Sequence, residues 1–313
     1  MRIGLVCNPP TDQHLTWAAQ IGVTDYVVLR YSTVDTPEKL AAECERAAKF
    51  GLKLSVVEAD LPFTSIIHGG SNRDAEIQNV QRFIREMGRW GIEVFCYNFM
   101  PETDWTRTSF EVVTRGGALT NEFDLAKMKG VFARPQRRTT AEQLWENLTT
   151  FLRAVVPVAQ TAGVKLAMHP DDPPLPELKG AAQIMHTKQD FSRLFEIEPS
   201  ATNGLCFCTG SFAAGGADIP ALIRHFGKQI HFAHFRNLRG TVPRFSEPFQ
   251  DDGDINMADA MRALRDIDFT GPIRPDHVPK LEGEAGVGDG YHMLGRLFAV
   301  GYLRGLMHAL EGQ

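Results

Sequence analysis

The chain has 313 residues, 43% hydrophobic and 23% charged, with a formal net charge of −5, which is the composition of a globular protein with a sizeable core. Basic residues dispersed over a net acidic chain leave no electrostatic footprint for a nucleic acid, and no apolar run approaches the roughly 20 residues of a membrane helix. The apolar run in MRIGLVCNPP is too short for a secretory signal, and five scattered cysteines (Cys7, Cys44, Cys96, Cys206, Cys208) make no disulfide framework, so the expected compartment is the cytoplasm.

In chain order, eight short β-rich apolar runs alternate with longer helical patterns. The runs are IGLVC (3–7), YVVLR (26–30), LKLSVVE (52–58), EVFCYNF (93–99), KLAMHP (165–170), NGLCFC (203–208), IHFAHFRN (230–237) and PIRPDH (272–277). Between them, segments such as TPEKLAAECERAAKFG (36–51) repeat apolar residues along one helix face: Leu40, Ala41, Cys44, Ala47 and Ala48. Gly51 stands where a helix C-terminal glycine belongs, and the same glycine-then-strand junction recurs in RWGIEVF and TAGVKLA. Repeated αβ junctions and strands apolar on both faces predict a parallel sheet; eight units predict an α/β protein closed as a (β/α)8 TIM barrel, one domain over 1–313.

The regularity breaks between the fourth and fifth runs. TTAEQLWENLTTFLRAVVPVAQTAG supplies the crossover helix, and about 100–130 is left as a lid, binding loop or small hairpin excursion. After the fifth run, HPDDPP crowds a histidine, two aspartates and three prolines into a segment that can continue neither strand nor helix.

In a barrel of this kind the chemistry gathers at the C-terminal strand ends. The last four strands end in His169, Cys208, His234 and Asp276. Two imidazoles, a thiolate and a carboxylate suit a borderline divalent ion, Zn²⁺ or Mn²⁺, with Fe²⁺ and Co²⁺ as further options. Taken singly, each has a blander reading: a rim histidine, a small hydrophobe, a helix cap. Four at successive strand ends weigh more. Alternation puts His231 and His234 on opposite faces, with His234 nearer the mouth. His277 follows Asp276, and Tyr291, placed at the start of the last helix after the glycine-rich EGEAGVGDG (282–290), is in reach as an acid–base group. Asp251 and Asp252 read as a turn.

CYNFMPETDWTRT (96–108), HPDDPP (169–174), CTGS (208–211), HFAHFRN (231–237), GDINM (253–257), RPDH (274–277) and GYHMLGRLFAVGYLRGL (290–306) together resemble the metal-dependent mannonate dehydratases of hexuronate catabolism. The resemblance implies a xylose-isomerase-like barrel, a divalent cofactor, commonly Mn²⁺, and loss of water from D-mannonate to give 2-keto-3-deoxy-D-gluconate. It places the ligands on His169, Cys208, His234 and Asp276 and the acid–base pair on His277 and Tyr291. Asn98, Arg107, Arg236 and Asn237 are the candidates for holding the substrate carboxylate and hydroxyls, and a homo-oligomer is expected. The alternatives are dehydration of a different aldonic acid, or isomerase or epimerase chemistry on the same barrel. The chain departs from the family pattern at LVCNPPTD (5–12), where an aromatic-rich segment is usual. It has Arg30 and Tyr31 where a pair of histidines is usual, and a shortened insertion after FDL.

Overall fold

The eight apolar runs become eight parallel strands of a closed barrel in the computed structural model, which describes every residue except 59–62, 102, 104, 129–137, 287–289, 312 and 313. They are β1 (Arg2–Val6), β2 (Asp25–Val28), β3 (Lys53–Glu58), β4 (Val94–Tyr97), β7 (Lys165–Met168), β10 (Asn203–Cys208), β11 (Ile230–Phe235) and β14 (Pro272–Pro275). Strand order around the barrel is β1-β14-β11-β10-β7-β4-β3-β2. Val6, Val27, Val56, Val94, Cys96, Ala167, Cys206 and Phe232 fill its interior. The opposite strand faces pack on the helices through a larger apolar cluster. This double burial is why the runs read as continuously apolar rather than alternating.

The helices begin and end on local signals. Thr140 and Gln143 form a capping box at the head of Ala141–Ala162, and Thr187 and Asp190 do the same for Lys188–Ile197. Gly51, Gly91 and Gly163, at the three repeated junctions, have φ of 72°, 67° and 70°, a left-handed conformation that glycine adopts without the Cβ clash of other residues. No helix among the described residues is long and apolar enough to cross a membrane.

Two excursions leave the barrel on its C-terminal side. The segment after β4 forms a hairpin, β5 (Ser109–Val113) and β6 (Leu119–Asp124); residues 102, 104, 129 and 130 of the expected lid lie outside the described residues. A second hairpin after β11, β12 (Arg239–Thr241) and β13 (Arg244–Ser246), was not expected. It pairs with the first in a four-stranded antiparallel sheet of order β12-β13-β6-β5. A two-residue pair, β8 (Glu177–Leu178) and β9 (Ala181–Ala182), follows HPDDPP. The last helix spans Met293–Glu311, so Tyr291 precedes it rather than beginning it. In the preceding glycine-rich loop, residues 287–289 are not among those described.

Candidate active site

At the C-terminal mouth lies a cavity of about 300 Å³, lined by residues that include Glu58, Asn98, His169, His234, Asp276, His277 and Tyr291. Donor atoms of His169, Cys208 and His234 all lie within 4.8 Å of one another. Asp276 closes the group: its Oδ2 is 3.6 Å from Cys208 Sγ, and its Oδ1 is 3.9 Å from His234 Nδ1. The side chains at the ends of β7, β10, β11 and β14 therefore converge on one point.

The imidazoles suit a cation there. His169 Nδ1 donates to the Pro170 carbonyl at 2.6 Å, which leaves Nε2 as its lone-pair nitrogen. His234 Nε2 lies 3.2 Å from a carboxylate oxygen of Glu58, which leaves Nδ1. These two remaining nitrogens face each other at 3.2 Å. The Arg274 guanidinium also stands against the His234 ring, with Nε 3.1 Å from His234 Nε2 and Nη2 3.4 Å from Nδ1. Hydrogen bonds that fix ring tautomer and orientation in this way are what supports histidine ligands in metal sites. On the sulfur side, Ser211 N–H donates to Cys208 Sγ at 3.4 Å, at the head of the helix Thr209–Ala214.

Glu58 and Arg274 are functional candidates that reading the last four strand ends missed. Arg274 donates to Glu58 through Nη2 at 2.8 Å and to Asp276 through Nη1 at 2.9 Å, which ties β3 to β14 across the mouth. Burial raises the Glu58 carboxyl, but Arg274 and His234 outweigh it and hold the group below the ordinary carboxylate range. Asp276 is opposed by burial too, and His277, Arg274, Arg236 and His234 together hold it well below its usual value. Both are anions at any pH near neutrality. Glu58 carried a sequence signal, since it ends LKLSVVE at the barrel's active face.

Beneath the cavity wall sits a second charged group. Arg107 and Arg236 are fully buried and share Asp172 and Glu247 between them. Arg107 Nη2 and Arg236 Nη2 each reach Asp172 Oδ2 at 2.9 Å, and Arg236 Nη1 reaches Glu247 Oε1 at 2.7 Å. These arginines, expected to hold the substrate, are not among the residues that line the cavity, and they face the carboxylates of Asp172 and Glu247, with Asp276 a further 3.4 Å contact of Arg236. Asn237, expected beside them, is likewise not among the lining residues. Its amide donates to the Gln250 and Ile255 carbonyls and its oxygen accepts from Leu238 and Ile255, so it ties down the 250–255 turn. Asn98 does line the cavity, with Oδ1 accepting from Met100 N–H at 3.2 Å and no hydrogen bond from its amide nitrogen among the described residues. Asp251 and Asp252 pair with Arg115 and Arg239 in the turn.

His277 and Tyr291 stand side by side in the lining, ring centroids 5.4 Å apart and edge to face. His277 Nδ1 is surrounded by Glu247 Oε1 at 3.0 Å, Arg236 Nη1 at 2.6 Å and Trp105 Nε1 at 3.2 Å, while Nε2 lies 3.7 Å from Asp276 Oδ1. Burial pushes the Tyr291 phenol above its ordinary value and keeps it protonated. The Arg296 guanidinium packs 4.4 Å from the Tyr291 ring centroid and hydrogen bonds the Val6 carbonyl. His231, on the outward face of β11, is not among the residues lining this cavity; its Nδ1 bonds the Leu166 carbonyl at 2.7 Å.

The chain matches the family described as D-mannonate dehydratase (UxuA) over residues 19–139 and 125–313. It is 36% identical to mannonate dehydratase 2 of Halalkalibacterium halodurans over 304 residues, 88% of this chain and 87% of the relative. It is 35% identical to a mannonate dehydratase of Oceanobacillus iheyensis over 310 residues, 88% and 86% of the two chains. Among solved structures, the mannonate dehydratase of Streptococcus suis superposes with a TM-score of 0.92 at 30% identity, over 99% of this chain and 94% of that one. A D-psicose 3-epimerase of Clostridium cellulolyticum, TM-score 0.66 and 14% identity, shares the barrel fold.

Proposed function

Because the chain belongs to the D-mannonate dehydratase family, we propose that it removes water from D-mannonate to give 2-keto-3-deoxy-D-gluconate, using a divalent cation held by His169, Cys208, His234 and Asp276. The observation that carries this reading is the convergence of those donors beside the His277–Tyr291 pair. When bound, the cation supplies Lewis-acid stabilisation of the negative charge that builds on the carboxylate end of the substrate as its α-proton leaves.

The protein groups divide the proton transfers. His277, with Nδ1 engaged by Glu247, accepts the proton from C2 at Nε2, beside Asp276. The electron pair of that C–H bond becomes the C2–C3 double bond as the C3–O bond breaks. Tyr291, kept neutral by burial, gives its proton to the departing C3 hydroxyl, which leaves as water. The enol then takes up a proton at C3 and releases the proton of its C2 hydroxyl to solvent, which gives the 2-keto-3-deoxy acid. Each positioned acid or base typically contributes about 10²- to 10⁴-fold. Asn98 offers its amide to substrate hydroxyls. The family resemblance further supports Mn²⁺ as the ion, a cytoplasmic homo-oligomer and a place in hexuronate breakdown.

The test is a dehydration assay of manganese-loaded protein against D-mannonate, with elemental analysis of the same sample. Formation of the 2-keto-3-deoxy acid in proportion to bound metal is expected; a ketose or C2-epimer in its place would move the protein to the isomerase or epimerase class.

A further inference from the structure

Two arginines line the cavity, and among the described residues one of them is paired with carboxylates and the other is not. Arg274 is neutralised by Glu58 and Asp276, and Asp172 by Arg107 and Arg236. Arg30, which follows β2 and lines the same cavity, is exposed and has no carboxylate partner; it is the one lining cation in that state among the described residues. Its position is fixed by the barrel order: β2 lies four strands from β10 in either direction, so Arg30 stands across the mouth from Cys208.

Given the proposed function, on which this inference rests, the reacting carboxylate end of the substrate lies at the His169, Cys208, His234 and Asp276 side. The far end of a six-carbon chain then points toward Arg30. In an aldonate that end is a primary alcohol, which accepts only a neutral hydrogen bond from the guanidinium. A carboxylate there accepts charge-assisted hydrogen bonds, roughly twice as strong, in the bidentate geometry that a guanidinium fork offers. We infer that Arg30 forms a distal anion subsite, and that the cavity takes aldarates, sugar acids with a carboxylate at both ends, in addition to aldonates. A terminal phosphate carries more charge than one guanidinium balances, and no second unpaired cation among the described residues lines the cavity, so the carboxylate is the better match.

Manganese-loaded wild type, Arg30→Gln and Arg30→Lys are compared by initial rates and by calorimetric binding with D-mannonate, D-mannarate and 6-phospho-D-mannonate. Mannarate has two equivalent ends, so its orientation introduces no ambiguity. Wild type is expected to bind mannarate at least as tightly as mannonate. Arg30→Gln is expected to weaken mannarate about tenfold or more and mannonate only a few-fold, with partial recovery in Arg30→Lys. Equal weakening of both acids, failure of mannarate to bind, or a preference for the phosphate ester would overturn the subsite. Wild type that dehydrates mannonate while ignoring mannarate sinks the subsite alone. Arg30-dependent mannarate binding with no dehydration of any compound sinks the dehydratase reading and leaves the subsite standing.

Discussion

Glu247 holds His277 from behind: its Oε1 lies 3.0 Å from the ring Nδ1, and the same oxygen is approached by Arg236 at 2.7 Å. Burial opposes ionisation of Glu247, yet Arg107, His277 and Arg236 keep it ionised. The carboxylate thus fixes the ring and balances two buried guanidinium groups. Glu247→Gln keeps the shape but leaves Arg107 with Asp172 as its carboxylate and Arg236 with Asp172 and, at 3.4 Å, Asp276, and losing one partner of a buried charge network typically costs about 3–5 kcal/mol. Denaturant unfolding should register that loss. Turnover should fall about 10- to 100-fold, the usual scale for removing an orienting partner, while exchange of the substrate C2 proton with solvent slows in parallel. Full stability in the variant would show that the arginines find another counter-charge.

Tyr291 and His277 are separable by the proton each handles. Tyr291→Phe should retain bound metal and C2 proton exchange but lose dehydration by about 10²- to 10⁴-fold; His277→Asn should lose both. A Phe variant with wild-type turnover would remove Tyr291 from the chemistry. Gly290 offers a subtler probe. Its φ is 82°, and a Cβ added there would sit 2.8 Å from His277 Cβ. Gly290→Ala therefore meets both backbone strain of about 1–3 kcal/mol and the very ring that must stay in place. Reduced kcat at unchanged metal content is the expected result.

The eight barrel strands were legible because burial on both faces writes them as continuous apolar runs. The convergence of His169, Cys208, His234 and Asp276 was legible because a barrel presents its strand ends to one mouth. What was not legible depended on pairings far apart in sequence. LRGTVPRFS (238–246) has no strong strand signal alone, and its hairpin is defined by pairing β13 with β6 over more than a hundred residues. Glu247 follows directly from that hairpin, so it too escaped notice. Arg107, Arg236 and Asn237 were read as substrate groups by residue type, but type says nothing of counter-charge. Only the fold brings Asp172 and Glu247 against the two guanidinium groups and the 250–255 turn against the amide.

The donor cluster makes metal content and activity one observable. Cys208→Ala removes a donor whose sulfur is 3.6 Å from Asp276 Oδ2. It should lower bound metal and dehydration together, with excess manganese restoring part of both. Glu58→Gln is the sharper comparison. It leaves all four proposed ligands in place but weakens the bond that orients His234 Nε2, and outer partners of this kind are worth about 10- to 100-fold in metal affinity. Inductively coupled plasma analysis after dialysis against graded chelator reads the difference. Unchanged retention in Glu58→Gln would mean that Arg274 and the strand alone hold the ring.

His231 makes a prediction about stability rather than chemistry, because it shares a strand with His234 and faces the other way. Burial, the largest influence, and Lys165 pull its imidazole down to about 4, against the opposing hydrogen bond to the Leu166 carbonyl. The folded state therefore keeps it neutral while the unfolded chain titrates near the ordinary histidine value of about 6.5. Above that value the two states bind equal protons and His231 imposes no pH dependence. As pH falls from 6.5 toward 4 the unfolded chain takes up a proton that the folded one refuses, so stability declines, by about 3 kcal/mol in full. His231→Gln removes the titration. Urea unfolding of both proteins between pH 8 and pH 4.5, each with the same metal ligands so that their titration cancels in the difference, should show wild type losing ground to the variant as the solution is acidified. Parallel curves across that window would mean that His231 is protonated as readily in the fold as in the open chain.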